Sequence, residues 1–337
     1  MPTIPSMAVW PARGRVLFPG LLACGVVTAA AGFLSEHYGA PEMLFALLLG
    51  MAMNYLASQG PCAPGIEFTA RTLSRVGIAL LGLRITLDEI GGLGWPPVLL
   101  AMVAVAATIT VSILAARALG FTHLFGLLSG GATAICGGSA ALALVAALPP
   151  HPQKDRALMF TVVSVAMLST LAMLVYPLLA TALGLDARLA GVFLGAAIHD
   201  IPQAVGAGYG MSKETGDIAT LVKLARVTML MPVILLTVLL TRSRGAAAKG
   251  QRTSLLPWFI VAFALLVAAN SSGWLPHALV ESGGSLSRAC LVAAIAAIGM
   301  KTQLREFINV GLKPILLMVG ETIFLAALVL AMVRWAA

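Results

Sequence analysis

The sequence predicts an all-α membrane protein that crosses the bilayer many times. Of its 337 residues, 60% are hydrophobic and only 10% are charged, which is well outside the usual composition of soluble domains. Apolar runs near the ~20-residue length of a membrane span recur along the whole chain. These runs do not alternate as the strands of a membrane β-barrel do. We therefore expect about 10 to 11 transmembrane helices.

The predicted spans follow one another with short connections between them. They cover residues 16–34, 41–59, 71–87, 95–118, 122–147, 157–183, 187–208, 217–240, 256–273, 286–303 and 312–335. Residues 1–15 are expected to form a polar N-terminal segment. Residues 16–337 are expected to form a single transmembrane domain.

The charged residues indicate the orientation of the chain rather than a nucleic-acid partner. The net charge of +8 comes from scattered Lys and Arg residues without an aromatic–basic patch. The most basic connection contains Arg242, Arg244, Lys249 and Arg252. Because cytoplasmic loops carry an excess of Lys and Arg, we expect this loop in the cytoplasm. An eleven-span count then places the N-terminus there as well, with Arg71 and Lys301 on the same side.

No pattern in the sequence predicts a metal site, a disulfide framework or a resident cofactor. The four cysteines, Cys24, Cys62, Cys136 and Cys290, are scattered and are typical of small buried residues. The chain has no phosphate-binding loop of an ATP-driven pump and no HExxH metalloprotease motif. Cys136 and His199 could serve as a nucleophile and its base, but no third, orienting group is evident. We therefore do not expect an enzyme.

A glycine-rich stretch from Ser129 to Ser139 interrupts the fifth predicted span. It contains four glycines and three hydroxyl residues, including Thr133, Gly137 and Gly138, and such a segment is a poor helix. Irregular backbone survives in a membrane only where protein or a water-filled cavity surrounds it. Helix N-termini at such a break favour a small anionic or polar substrate. The alternative is close helix packing through small residues, which is frequent in membranes.

A second interruption lies in the seventh span, in the segment Gly195–Gly208. Pro202 removes a main-chain donor and is expected to kink the helix near His199 and Asp200. An ionisable pair in mid-membrane is expensive, which makes it a functional candidate for carrying protons or balancing a bound ion. The alternative is a pair at a water-exposed helix end. We expect this break and the first to meet at one site.

Three further ionisable residues lie within apolar spans. Lys223 and Arg226 are three residues apart and share a helix face, where they could neutralise an anionic substrate or pair with Asp200. Alternatively, both side chains could extend to the membrane interface, and Arg226 lies deeper than Lys223. Glu321 is either a coupling site or the partner of a neighbouring cation.

A partial internal repeat relates Gly82–Ile90 to Gly299–Phe307. The register continues, because Gly94 matches Gly311 and Pro97 matches Pro314. The repeat joins the third predicted span to the tenth, so the two copies would have opposite orientations in the membrane. Inverted repeats are a common plan of secondary transporters. The alternative is a shared way of ending a helix and turning.

Several of these motifs resemble those of the YeiH family of bacterial inner-membrane proteins, which are regarded as sulfate exporters. The resemblance runs from about residue 16 to the C-terminus. It rests on Ala-Ile-Cys-Gly-Gly-Ser (134–139), Gly-Ala-Ala-Ile-His-Asp (195–200) with Gln203, Val-Lys-Leu-Ala-Arg-Val (222–227) and Ile-Gly-Met-Lys-Thr (298–302). Many relatives have Ile-His-Glu followed by Ala or Val in the second motif. Asp200 and Pro202 depart from that pattern, which keeps the acid but alters its reach.

The resemblance implies a fold similar to the sodium/proton antiporter and bile-acid symporter superfamily. That fold would have two crossing discontinuous helices, inverted repeats, and core and panel subdomains interleaved in sequence, with elevator-like movement. The resemblance also implies the bacterial inner membrane as the location. Function inferred from fold alone is an analogy.

The sequence hypothesis is a secondary transporter that exports a small anion such as sulfate or a sulfonate, coupled to H⁺ or Na⁺. The expected substrate-binding residues are Thr133, Cys136, Gly137, Gly138, Ser139, Gln203, Lys223 and Arg226. The expected ion-coupling residues are His199, Asp200 and Glu321. An uncoupled facilitative exporter or channel is the main alternative, and a membrane enzyme is a more distant one. We expect the lipid bilayer around the protein and leave open whether it forms a homodimer.

Overall fold

The computed structural model describes residues 9–58, 60–148, 154–242, 257–273, 275–302 and 312–335. All regular secondary structure in these ranges is helical. The helices are α1 (Val9–Tyr38), α2 (Glu42–Ala52), α3 (Tyr55–Ser58), α4 (Ala63–Phe68), α5 (Ser74–Leu81), α6 (Leu87–Leu93), α7 (Pro96–Ala118), α8 (His123–Ala134), α9 (Gly138–Ala147), α10 (Lys154–Ala182), α11 (Ala187–Ala197), α12 (Ile201–Met211), α13 (Lys213–Thr228), α14 (Leu230–Arg242), α15 (Trp258–Ser271), α16 (His277–Lys301) and α17 (Leu312–Trp335).

The predicted polytopic architecture is confirmed. Within the described ranges, six helical segments are long and apolar enough to cross a membrane. They are Gly14–Tyr38, Pro96–Ala118, Arg156–Ala182, Lys213–Leu239, His277–Lys301 and Leu312–Trp335. Shorter apolar helices include the halves α9 and α11 of the two interrupted spans. Each of the eleven predicted spans overlaps one of the described helices.

The third predicted span, 71–87, differs most from the structure. A continuous helical segment begins at Ala63, passes through a π-helical turn at Thr69–Leu73, and ends at Leu81. The segment therefore starts inside what the sequence suggested was a connection, because Pro64 lies in the first helical turn, where a missing N–H costs nothing. The basic loop residues Arg244, Lys249 and Arg252, and residues 303–311 of the second repeat copy, lie outside the described residues.

The described residues form two compact units that alternate along the chain. The first unit lies within Met1–Arg84 and Ala262–Gln303. In it, α16 packs against α2 and α5, and α1 packs against α2 and α4. The approach of α2 to α16 requires glycine, because a Cβ atom on Gly50 would lie 2.2 Å from the Ala296 carbonyl oxygen. Glu67 forms ion pairs with both Arg71 and Lys301, so these two cations lie at one end of the unit.

The second unit lies within Ile85–Val261 and Leu304–Ala337. In this unit α7 packs against α8, α11 and α12 pack against α13, and α17 packs against α7 and α11. The α7–α8 contact also depends on small residues, because a Cβ atom on Gly130 would lie 2.4 Å from the Ser112 Cβ atom. All the residues that the sequence suggested as functional belong to this second unit.

Candidate functional site

Two helices of the second unit are interrupted. The first break is Ile135–Gly137, between α8 and α9, where Gly137 adopts φ +67° and ψ −132°. The second is Ile198–Asp200, between α11 and α12, where Ile198 and Asp200 are extended. The helix therefore ends before Pro202 instead of kinking at it, and Pro202 falls in the first turn of α12, where its missing donor costs nothing.

Arg226 joins the ends of α8 and α11. The final carbonyls of a helix have no intrahelical partner and carry partial negative charge. The guanidinium donates to the carbonyls of Thr133 and Ala134 at the end of α8. It also donates to the carbonyls of Gly195, Ala196 and Ile198 at the end of α11. Arg226 is fully buried, so this cation is stabilised by two helix ends and is not at the membrane interface.

Lys223, one turn before Arg226 on α13, also donates to main-chain carbonyls at the two breaks. Its fully buried ammonium group donates to the carbonyls of Ile135 at 2.9 Å, of Ile198 at 2.7 Å and of His199. An ammonium group has three donors, and these contacts occupy all three. The two breaks consequently meet at Lys223, and the side chain does not extend to the interface.

His199 lies in the second break, and its ring bonds to α8 and to α17. Its Nδ1 atom is 3.1 Å from the Thr133 carbonyl oxygen, and its Nε2 atom is 3.1 Å from the Thr322 hydroxyl. A carbonyl only accepts, so Nδ1 carries a hydrogen. In neutral His199 the Nε2 atom accepts from Thr322, whereas in the charged form it donates to Thr322. The Thr322 hydroxyl can then donate to the Met318 carbonyl, 2.8 Å away.

Asp200 lies against the first break. A Cβ atom on Gly137 would be 2.1 Å from Asp200 Oδ1, so the carboxylate occupies the space that a side chain at 137 would need. The main-chain N–H of Asp200 donates to Ser169 on α10 at 3.0 Å. Asp200 is half-buried, and its side chain does not cap α12. It is therefore the predicted carboxylate closest to the start of α9.

Glu321 lies in a group of hydroxyls contributed by α7 and α8. Its Oε1 atom is 2.5 Å from the Ser112 hydroxyl oxygen and accepts from Ser129 at 2.7 Å. Its Oε2 atom accepts from Thr133 at 2.9 Å. Glu321 is 2% exposed. Among the described residues, no basic side chain contacts Glu321. The structure therefore does not show the cation partner that the sequence offered as an alternative.

The starts of α9 and α12 differ from the starts of the helices that precede them. Thr122 caps α8, and Asp186 caps α11, each accepting a main-chain N–H. The helices that begin at the breaks, α9 and α12, have no side-chain cap. Uncapped N-termini present free N–H donors and partial positive charge. This is the local chemistry that binds small anions.

The remaining predicted residues lie around these two helix starts. The exposed Ser139 donates to the Cys136 carbonyl at 3.0 Å or to its Sγ atom at 3.1 Å. Gln203 on α12 donates to Thr170 at 2.7 Å, and its Oε1 atom is buried without a partner. A buried amide oxygen without a donor is costly and can accept a hydrogen bond from a bound molecule. Thr133 instead faces Glu321 and His199.

Cys136 and His199 do not form a nucleophile–base pair in this structure. The two nitrogens of His199 face Thr133 and Thr322. The thiol of Cys136 is near the Ser139 hydroxyl. These contacts therefore do not place the imidazole where it could activate the Cys136 thiol.

Sequence reasoning missed Ser112 and Thr322 as members of the site, and it included Ser129 only as the first residue of the glycine-rich stretch. Ser112 lies 209 positions before Glu321 in the chain, and a single serine inside an apolar helix is unremarkable. Thr322 is adjacent to Glu321, and its spacing gave no sign of a contact with His199. Only the packing of α17 against α7, α8 and α11 brings these side chains together.

The interrupted helices, the buried ionisable groups and the six spans define the class: a multi-pass α-helical membrane protein with a polar site inside its helix bundle. The sequence model of a family described as "Conserved hypothetical protein 698" matches residues 19–318. The chain belongs to this family, whose named relatives are UPF0324 membrane proteins.

Three relatives show the extent of the similarity. The chain is 50% identical to a UPF0324 membrane protein of Rhizobium meliloti, over 93% of this chain and 91% of the relative. It is 48% identical to one of Chlorobaculum tepidum, over 94% and 89%. It is 49% identical to the UPF0324 membrane protein TauZ of Paracoccus denitrificans, over 95% and 96%. No solved structure matches the chain.

Proposed function

We propose that this protein is a secondary active transporter that exports a small anion such as sulfate or a sulfonate, coupled to H⁺ or Na⁺. The observation that carries the proposal is the meeting of the two breaks at Lys223 and Arg226. These cations neutralise the negative ends of α8 and α11. The uncapped, positive starts of α9 and α12 are then available to an anion.

The donors nearest the anion are main-chain groups. In this proposal the N–H groups of Gly138 and Ser139, at the start of α9, contact the substrate, and Gln203 contributes from α12. Lys223 and Arg226 act from behind the breaks through their positive potential, because their own donors are bonded to carbonyls. Glycine at positions 137 and 138 allows an anion to approach the backbone closely.

Asp200 provides a physical basis for coupling. An ionised carboxylate beside Gly137 repels an anion at the start of α9, and this repulsion is strong where little water is present. A proton or a sodium ion on Asp200 removes the repulsion. Anion binding and cation binding therefore favour each other, which suits a mechanism in which the two ions cross the membrane together.

Flux measurements in proteoliposomes test the proposal. The purified full-length chain is reconstituted, and uptake of sulfate and of small sulfonates and carboxylates is followed with and without a pH or sodium gradient. We expect a gradient to accelerate flux in the wild type, and Asp200→Asn to remove that acceleration. The matched control is Asp88→Asn, an exposed carboxylate on α6, which should behave like the wild type.

Two results would contradict the proposal. Flux of none of the tested anions would remove the transport function. Equal, gradient-dependent flux in the wild type, Asp200→Asn and Arg226→Ala would remove the mechanism. Flux that never responds to a gradient would instead select the uncoupled exporter or channel.

A further inference from the structure

The hydroxyls of Ser112, Ser129 and Thr133 surround Glu321. They make more hydrogen-bond contacts than their three hydrogens can supply. Ser112 Oγ is 2.6 Å from the Gly126 carbonyl oxygen and 2.5 Å from Glu321 Oε1. Both of these atoms are acceptors if Glu321 is ionised, and a serine has one hydrogen. Ser129 and Thr133 each need their own hydrogen for Glu321, at 2.7 Å and 2.9 Å.

An ionised Glu321 therefore leaves one short contact without a hydrogen. If Ser112 donates to the Gly126 carbonyl, two oxygens face each other at 2.5 Å with no hydrogen between them. If Ser112 donates to Glu321 instead, the buried Gly126 carbonyl loses its side-chain donor. Oxygen pairs this close are attractive only when a hydrogen lies between them.

A proton on Glu321 Oε1 supplies a hydrogen for each of the four shortest contacts, those of 2.9 Å or less. The carboxyl then donates to Ser112, and Ser112 donates to the Gly126 carbonyl. Ser129 donates to Oε1, and Thr133 donates to Oε2, which is now the carbonyl oxygen. Because neutral carboxyl groups are also much cheaper to bury than ionised ones, the geometry and the burial favour the same state.

A sodium ion does not fit the same group. A cation must lie between its oxygen ligands, and here the oxygens of Ser112, Ser129 and Glu321 already contact one another at hydrogen-bond distance. The chemistry of the site is that of a proton donor surrounded by hydroxyls.

The ionisable groups around Glu321 lie one hydrogen-bonded residue away. His199 bonds to the carbonyl of Thr133 and to the hydroxyl of Thr322, and Arg226 also bonds to the Thr133 carbonyl. From α7 and α8 the side chains that bond to Glu321 are hydroxyls. Among the α10 side chains whose burial the structure describes, the buried ionisable group is Tyr176, whose ring packs against Phe193.

We propose that Glu321, with Ser112, Ser129 and Thr133, is a proton-binding site of the transporter in addition to Asp200, and that this site binds H⁺ rather than Na⁺. The proton comes from water on one side of the membrane and returns to water on the other. Its loss leaves a negative charge beside Thr133, the residue that bonds Glu321, His199 and Arg226. The charge on Glu321 thereby acts on the first break. The coupling role rests on the proposed function, whereas the protonated state does not.

Infrared difference spectroscopy tests the protonated state directly. The carbonyl stretch of a neutral carboxyl group, shifted in deuterium oxide, is recorded for the purified full-length chain at pH 7. We expect this band in the wild type and its loss in Glu321→Gln. The control Glu281→Gln changes an exposed glutamate on α16 and should leave the band unchanged. A wild-type spectrum identical to that of Glu321→Gln would overturn the proposal.

A sodium titration of the wild type and of Glu321→Gln tests which ion this site binds. We expect any difference in melting temperature between sodium chloride and choline chloride, at equal ionic strength, to be the same in both proteins. A sodium-specific rise that Glu321→Gln abolishes would overturn the assignment of H⁺. Neither measurement needs transport, so an intact carboxyl band with no flux of any anion would refute the proposed function and leave the protonated Glu321 in place.

Discussion

At the scale of single residues, Arg226 and Lys223 have different partners from those their charges suggested. Their donors face main-chain carbonyls at the two breaks. A guanidinium bonded in this way can hold an anion only by releasing some of these bonds. The planar fork of arginine suits this position, because it reaches carbonyls at the ends of two helices at once.

Arg226→Lys is expected to destabilise the protein although it keeps the charge. One ammonium nitrogen has three donors and cannot replace the bonds of the guanidinium to five carbonyls at the two helix ends. Each carbonyl left unpaired in the protein interior should cost about 1–3 kcal/mol. Thermal unfolding in detergent, followed by tryptophan fluorescence, measures the loss. Arg117→Lys, at an exposed position of α7, should unfold like the wild type, and equal melting temperatures for both variants would contradict this role.

The positions of the two helix breaks could be predicted from the residue types. Four glycines in one stretch and Pro202 beside His199 and Asp200 indicated where the helices break, because these residues disfavour a continuous helix. The partners of the buried cations could not be predicted, since carbonyls exist at every position and only the fold decides which are unpaired. The hydroxyls around Glu321 come from helices far apart in sequence, and no local pattern relates Ser112 to Glu321.

At the scale of helices, each break divides one span into two halves with different tasks. The C-terminal ends of α8 and α11 bind the buried cations. The N-terminal ends of α9 and α12 have no side-chain cap and form the proposed anion site. Because the peptide dipoles of each half end at the break, opposite partial charges lie within a few residues of each other.

Gly137→Ala should destabilise the protein, whereas Gly138→Ala at the neighbouring position should not. At Gly137 the φ of +67° and the contact of a Cβ atom with Asp200 at 2.1 Å both exclude a side chain. The backbone conformation alone should cost roughly 1–3 kcal/mol. At Gly138 the nearest atom, on Val162, would be 3.6 Å away, which is ordinary contact.

Melting temperatures and anion-induced thermal shifts distinguish these two variants. We expect Gly137→Ala to melt at a lower temperature and to lose any shift caused by sulfate. Gly138→Ala should melt like the wild type. Equal stability of the two variants would contradict the claim that the backbone conformation and the Asp200 contact exclude a side chain at position 137.

At the scale of the whole molecule, the order of spans fixes which side of the membrane each connection faces. Glu67 pairs with both Arg71 and Lys301, so these two cations, which we expect on the cytoplasmic side, lie close together. The inverted orientation of the two repeat copies depends on the same span count and stays a prediction. The bacterial inner membrane as the location and the cytoplasmic N-terminus are proposals of the same kind.

Reporter fusions test the eleven-span topology. With the N-terminus in the cytoplasm, an odd number of spans places the C-terminus outside it. Alkaline phosphatase fused after Ala337 should be active, and green fluorescent protein at the same position should be dark. Green fluorescent protein fused before Met1 is the control and should be bright. A bright C-terminal fusion would require an even number of spans.

The shared bonding of Arg226 has a mechanical consequence. Because one side chain holds the ends of α8 and α11, sliding either helix away from the other would separate a buried cation from its acceptors. These two helices and α13 should therefore travel as one rigid body during any cycle of opening and closing. Some substitutions should change the speed of that cycle without weakening anion affinity. We expect them at contacts between this rigid body and the helices that surround it.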